Sequence, residues 1–126
     1  MTTTTVRNPG NSAHFMHVKP VQARVRISRS NQLLADSKAA LRVMETGKGP
    51  YDPVVYIPRH DVAGVLQPVP GKSTHCPLKG DASYLTLDGE EVAWIYDRPL
   101  EGARLIGDYV AFYPNKVMVE EIGAQA

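Results

Sequence analysis

Residues Thr74 to Gly80 read Thr-His-Cys-Pro-Leu-Lys-Gly, which sets the only cysteine beside a histidine and three residues before a lysine. Positive charge near a thiol favours the thiolate, the form that attacks electrophiles. On this reading Cys76 is a nucleophile, and His75 and Lys79 are its supporting groups. On the opposing reading Cys76 is a small buried side chain and Lys79 points to solvent, since an unpaired cysteine packs as a small hydrophobe. Pro77 stiffens the backbone there, and Gly80 permits close approach of a ligand or a second strand.

A second set of residues offers a surface rather than a reaction. Trp94, Tyr96, Tyr84, Tyr56 and Tyr113 combine apolar faces with polar tips, which suits either the lining of a cleft or an ordinary β core. Asp61 and Asp81 serve as bases or orienters on one reading, and as a helix cap and a turn residue on the other. His14 and His17 supply too few ligands for a closed metal site, with no carboxylate or cysteine close by in sequence. No metal and no cofactor is expected. Gly71-Lys72-Ser73 resembles the end of a phosphate loop, but the required glycine five positions earlier is Leu66. Pro68 and Pro70 also remove backbone N–H groups that would face the phosphates.

The elements that would position these residues read mainly as strands. Ala82 to Leu87 and Val92 to Tyr96 are rich in β-formers, and Asp88-Gly89 between them suits a tight two-residue turn. Alternation puts Ala82, Tyr84 and Thr86 on one face, and Val92, Trp94 and Tyr96 together on the return strand. Val21, Ala23, Val25 and Ile27 alternate with Gln22, Arg24, Arg26 and Ser28, as in a half-buried strand whose basic face blunts an edge. Leu33–Asp36 and Ala39–Glu45 follow as strands, with helix an alternative over Ser37–Glu45, before the break Gly47-Lys48-Gly49-Pro50. Pro53 and Pro58 bracket a short strand expected at an edge or end. Asp61 is placed to cap a helical turn over Val62–Leu66, and Pro68 to Thr74 reads as a loop. Pro99, Glu101 and Gly107 frame one or two helical turns. Strands over Asp108–Tyr113 and Val117–Glu121 complete the chain. Residues 1–19, with their threonine repeats and Asn8-Pro9-Gly10-Asn11, read as a flexible N-terminal arm, leaving 20–126 as a single β domain.

Composition excludes more than it assigns. A formal charge of +1 over 126 residues gives no global field for nucleic acid or anionic membrane. No apolar run reaches the ~20 residues of a membrane span, and Met-Thr-Thr-Thr-Thr lacks the core of a signal peptide. One cysteine fits a reducing, cytoplasmic setting.

Four blocks carry a family resemblance: Tyr56-Ile57-Pro58-Arg59-His60-Asp61-Val62, Thr74 to Tyr84, Ala93-Trp94-Ile95-Tyr96 with Pro99, and Val110-Ala111-Phe112-Tyr113-Pro114. With Ala35-Asp36-Ser37 and Leu41 to Gly47, these resemble the family called domain of unknown function 427, over about residues 21–122. The resemblance implies a compact β domain of the Mss4-like, or β-tent, type, with two antiparallel sheets leaning over a cleft and one or two short helical turns. It adds Arg59 and Asp61 to the candidate ligand-binding set. Relatives elsewhere in that fold group hold zinc with paired Cys-x-x-Cys knuckles, which this chain lacks. A nucleotidyltransferase-like label has been attached to the family, yet no Gly-Ser followed by paired acidic residues at strand spacing is present to hold magnesium. The expected function is a small-molecule-binding domain with an aromatic-floored cleft beside Cys-Pro-x-Lys-Gly, acting as a monomer or homodimer. Two alternatives stand beside it: an enzyme using Cys76, His75 and Lys79, and an assembly domain pairing through an edge strand.

Overall fold

The computed structural model describes residues 3–47 and 52–123, so the break expected at 48–50 lies outside the described residues. Among the described residues there are eleven strands: β1 (Thr4–Asn8), β2 (Asn11–Pro20), β3 (Ala23–Arg29), β4 (Gln32–Ser37), β5 (Leu41–Thr46), β6 (Val54–Pro58), β7 (Gln67–Cys76), β8 (Gly80–Leu87), β9 (Glu90–Pro99), β10 (Tyr109–Phe112) and β11 (Met118–Gly123). Two 3-10 segments, Arg59–Asp61 and Glu101–Ile106, are the only helical pieces described. The mainly β expectation, with two antiparallel sheets and short helical turns, therefore holds. The larger sheet has eight strands in the order β1-β2-β5-β6-β10-β9-β8-β7, and the smaller has three in the order β11-β3-β4.

Each face of the larger sheet has its own apolar cluster. One cluster joins Val25, Ile27, Leu34 and Ala35 of the small sheet to Ile57, Leu85, Leu87, Val92, Ile95, Val110 and Phe112 of the large one. This is the packed interior between the sheets. The other cluster gathers Val6, Met16, Val18, Val43, Tyr56, Leu78, Ala82, Tyr96, Ala103, Ile106 and Ala111 on the opposite face. Burial on both faces explains why β6 and β10 read as unbroken apolar runs.

The Asp88-Gly89 hairpin forms as its dipeptide dictates. Leu87 pairs with Glu90, and the two turn residues take φ of 52° and 82°. A bulge then intervenes: Thr86 faces Glu91 while Leu85 faces Ala93, leaving Val92 as the extra residue. That extra residue reverses the alternation, so Val92 packs with Leu85 and Leu87 rather than sharing a face with Trp94 and Tyr96.

Several expectations give way to tertiary pairing. Residues 4–20 are not a free arm: β1 and β2 form a hairpin through Pro9-Gly10, and β2 pairs with β5 from Phe15↔Thr46 to Pro20↔Leu41. The segment's alternating Val6, His14, Met16 and Val18 are buried, and that burial holds it in place. The basic strand β3 lies in the middle of its sheet, and Arg24 and Arg26 reach Asp36 on β4. The proline-bracketed β6 lies inside the large sheet, because Pro53 precedes it and Pro58 falls on its last residue. Pro68–Thr74 belongs to edge strand β7, whose register breaks between Pro68 and Ser73, where two prolines cannot donate ladder bonds. Asp61 ends a 3-10 turn rather than beginning a helix, and Val62 bridges to Ala35.

Candidate functional site

The period of two along four neighbouring strands builds a floor. Tyr56 on β6 faces Ala111 on β10, Ala111 faces Trp94 on β9, and Trp94 faces Tyr84 on β8. Ala111 is the small member of that row, and above it the Tyr56 and Trp94 rings meet edge to face. The Tyr56 and Trp94 rings are 6.3 Å apart and nearly perpendicular at 87°. Moving two residues along each strand adds Tyr96, Tyr113 and Val54 on the same face. Tyr113 lies 4.7 Å from Trp94, tilted by 48°. These residues enclose a cavity of about 310 Å³, completed by Val43, Glu45, Asp52 and Lys79.

Lys79 enters from the tip of the β7–β8 hairpin. Cys76 pairs with Gly80, so Pro77, Leu78 and Lys79 form the turn, with Leu78 inserted into the apolar cluster. Gly80 has φ of +116°, and a Cβ there would lie 2.5 Å from the Arg98 carbonyl oxygen and 2.6 Å from the Leu100 nitrogen. Only glycine lets the turn tuck against the end of β9 in this way. The tucked turn carries the Lys79 side chain inward, where it is 7% exposed.

A carboxylate meets it there. Glu45 Oε1 accepts a hydrogen bond from Lys79 Nζ, and Glu45 Oε2 lies 2.7 Å from His14 Nε2. The Asn8 amide nitrogen lies 3.1 Å from His14 Nδ1, while Asn8 Oδ1 accepts from the Gly10 N–H at 2.9 Å. The Gly10 contact fixes the amide orientation, so the Asn8 NH₂ donates to Nδ1 and the imidazole proton belongs on Nε2, toward Glu45. The result is a continuous polar chain from the β1–β2 turn to the cavity: Asn8, His14, Glu45, Lys79. His14 is 1% exposed, so the chain runs largely out of water.

The electrostatics follow from this arrangement. Burial alone would raise the Glu45 carboxyl, but hydrogen bonds from Lys79 and His14 hold it below the usual carboxylate value. Burial alone would lower the Lys79 ammonium, but the hydrogen bond and charge of Glu45 oppose it and the pKa is raised. Both partners are therefore ionised near neutrality. Burial pushes the hydroxyls of Tyr56 and Tyr96 well above the ordinary phenol value, so both remain protonated donors. Lys79 Nζ also stands 5.7 Å from the centre of the Tyr96 ring.

Of the residues singled out from sequence, Tyr56, Lys79, Tyr84, Trp94, Tyr96 and Tyr113 come together around the cavity. The others lie elsewhere. His75 is turned outward and contacts Asp81 Oδ1 at 2.8 Å. Cys76, the next residue on the strand, faces the other way and packs half-buried against the apolar cluster, outside the cavity lining. Arg59 is exposed and lies 3.9 Å from Asp108, while Asp61 accepts a 2.6 Å hydrogen bond from Ser37 on β4. Neither Arg59 nor Asp61 reaches the aromatic row. Sequence reasoning missed the lining residues Val43, Asp52 and Val54 and, more consequentially, Glu45 and its partner His14. Their signal was alternation: Glu45 shares a face with Leu41 and Val43, and His14 with Met16 and Val18. An ionisable residue at an inward position is a pointer of its own.

Among the described residues no group of three or more His, Cys, Asp or Glu side chains is placed to hold a metal ion, and no helix is long and apolar enough to cross a membrane. No curated protein matches the chain. A family model described as a domain of unknown function, DUF427, and labelled as a nucleotidyltransferase-type family, matches residues 17–123. That match takes in the strand carrying Glu45, the turn carrying Lys79 and the whole aromatic row, and the chain belongs to the DUF427 family.

Proposed function

We propose that this protein is a small-molecule-binding domain whose site is the aromatic cavity closed by Glu45 and Lys79. The observation that carries the reading is the cavity of about 310 Å³ into which Tyr56, Tyr84, Trp94, Tyr96 and Tyr113 converge, with Glu45 and Lys79 at its polar end. A cavity of this size, mostly apolar with a few convergent polar groups, has the composition of a ligand site. Its aromatic lining favours a planar ligand.

Binding is favoured over catalysis by the state of the polar groups. An ammonium held charged by a carboxylate is a poor nucleophile, and a carboxylate with a lowered pKa is a weak base. Cys76 and His75 point to opposite sides of β7, so they do not support one another as a nucleophile and base would. A reducing, cytoplasmic setting and the tent-like fold type implied by the family blocks are part of the same proposal.

The test is native mass spectrometry of the full chain incubated with a small-molecule extract. The wild type is expected to retain a stoichiometric small-molecule adduct, and Val54→Phe, which fills the cavity from a half-buried position, to lose it. An adduct retained equally by both proteins, or by neither, overturns the assignment.

A further inference from the structure

We propose that the compound received by this cavity is neutral and flat, and carries a carbonyl oxygen that accepts hydrogen bonds from Lys79. The inference rests on the binding reading above and deepens it to a ligand class.

The argument begins with donors. A lysine ammonium has three N–H groups. Glu45 takes one, and no second acceptor meets Nζ among the described residues. Lys79 nevertheless lines the cavity and is only 7% exposed. A buried donor left without a partner is costly, so an acceptor placed in the cavity has two N–H groups waiting for it. Tyr56 and Tyr96, both protonated, add hydroxyl donors to the same lining.

Charge then selects among acceptors. Among the described residues the charged side chains lining the cavity are Glu45, Asp52 and Lys79, one more carboxylate than ammonium. An anionic ligand would gain no net attraction, because Glu45 has already neutralised Lys79 and Asp52 stands at the cavity wall. A cationic ligand would seek aromatic faces. Two of those faces are already taken by the protein's own cations, Tyr96 by Lys79 and Tyr84 by Lys72, whose Nζ sits 4.4 Å from the ring centre. A ligand cation would also offer no acceptor to the two spare N–H groups of Lys79. A neutral carbonyl meets neither penalty. It keeps the Glu45–Lys79 pair intact and uses the spare donors.

Three probes with one ring system separate the possibilities: 2-naphthamide, 2-naphthoate and 2-naphthylmethylammonium. Trp94 is the only tryptophan, so intrinsic fluorescence reports on the cavity wall. The amide is expected to bind at least about tenfold more tightly than either ion, the scale of one hydrogen bond to a charged donor. In the double variant Glu45→Gln/Lys79→Met the preference should shrink to within about twofold while ring binding persists. Should the double variant fail to fold, the wild-type ranking decides alone. Tightest binding of the naphthoate or of the ammonium overturns the ligand class and leaves the binding site standing. Absence of any saturable response to all three probes overturns both.

Discussion

Glu45 is the residue on which the site's electrostatics turn. Its carboxylate joins a histidine delivered by β2 to a lysine delivered by the β7–β8 turn, so three distant stretches of chain meet at one side chain. Removing one partner of such a buried pair leaves the other uncompensated. Lys79→Met should therefore destabilise the fold by about 3 kcal/mol, whereas Glu45→Gln/Lys79→Met should cost about 1 kcal/mol or less. Urea unfolding of the three proteins checks this. The pH dependence has a defined sign. The Glu45 carboxyl is lowered from 4.5 on folding, so its contribution is complete above about pH 4.5 and is lost as pH falls through the lower folded value. The Lys79 ammonium is raised from 10.5, so its contribution is complete below that pH and is lost as pH rises through the higher folded value. Between these limits the pair holds. Glu45→Gln should flatten the acid limb of a stability–pH curve, and an unchanged acid limb would contradict the pairing.

Hairpins deliver the site, and their glycines do different work. Gly89 needs its positive φ but has open space around it, with nothing within 4 Å of an added Cβ. Gly80 needs both its φ and the absence of a side chain, since an added Cβ would press on the backbone of β9. Gly89→Ala should cost about 1 kcal/mol from backbone strain alone. Gly80→Ala should cost about 2 kcal/mol or more and should displace Lys79 from the cavity. Equal losses for the two variants in urea unfolding would contradict this reading of the turn. The contrast also marks what was legible in the sequence. Asp88-Gly89 between two β-rich runs announces its own turn, and the Cys-Pro-x-Lys-Gly block announces a tight corner. The bulge at Val92 has no such local signal, because only packing against Leu85 and Leu87 decides which residue is left over. Arg59 and Asp61 were chosen for their neighbours in sequence, yet the strand ends at Pro58, and the turn after it leads away from the aromatic row.

The whole molecule owes the cavity to a large sheet that is apolar on both faces. One face packs on the small sheet, and the other is closed by the N-terminal hairpin and the Glu101–Ile106 segment around Val6, Met16, Ala103 and Ile106. The fold class was legible because strand periods, turn dipeptides and prolines are local signals. Strand order was not, since β2 with β5 and β6 with β10 meet only through long-range pairing. Residues 4–20 were misread for the same reason: threonine and asparagine suggest a tail until β5 is present to receive His14, Met16 and Val18. Amide exchange measured along the chain should show protection over Phe15–Pro20 comparable to that of β5. Rapid exchange throughout residues 4–20 would return the segment to the status of an arm.

The central claim is that the cavity lined by Tyr56, Tyr84, Trp94, Tyr96 and Tyr113 binds a flat small molecule. The single tryptophan gives one indole N–H signal in a nitrogen–proton correlation spectrum, at the cavity wall. Titration of the full chain with 2-naphthamide should move that signal saturably, together with the backbone amides of Lys79, Tyr96 and Ala111. An indole signal that stays fixed while amides elsewhere shift would contradict the assignment of the site.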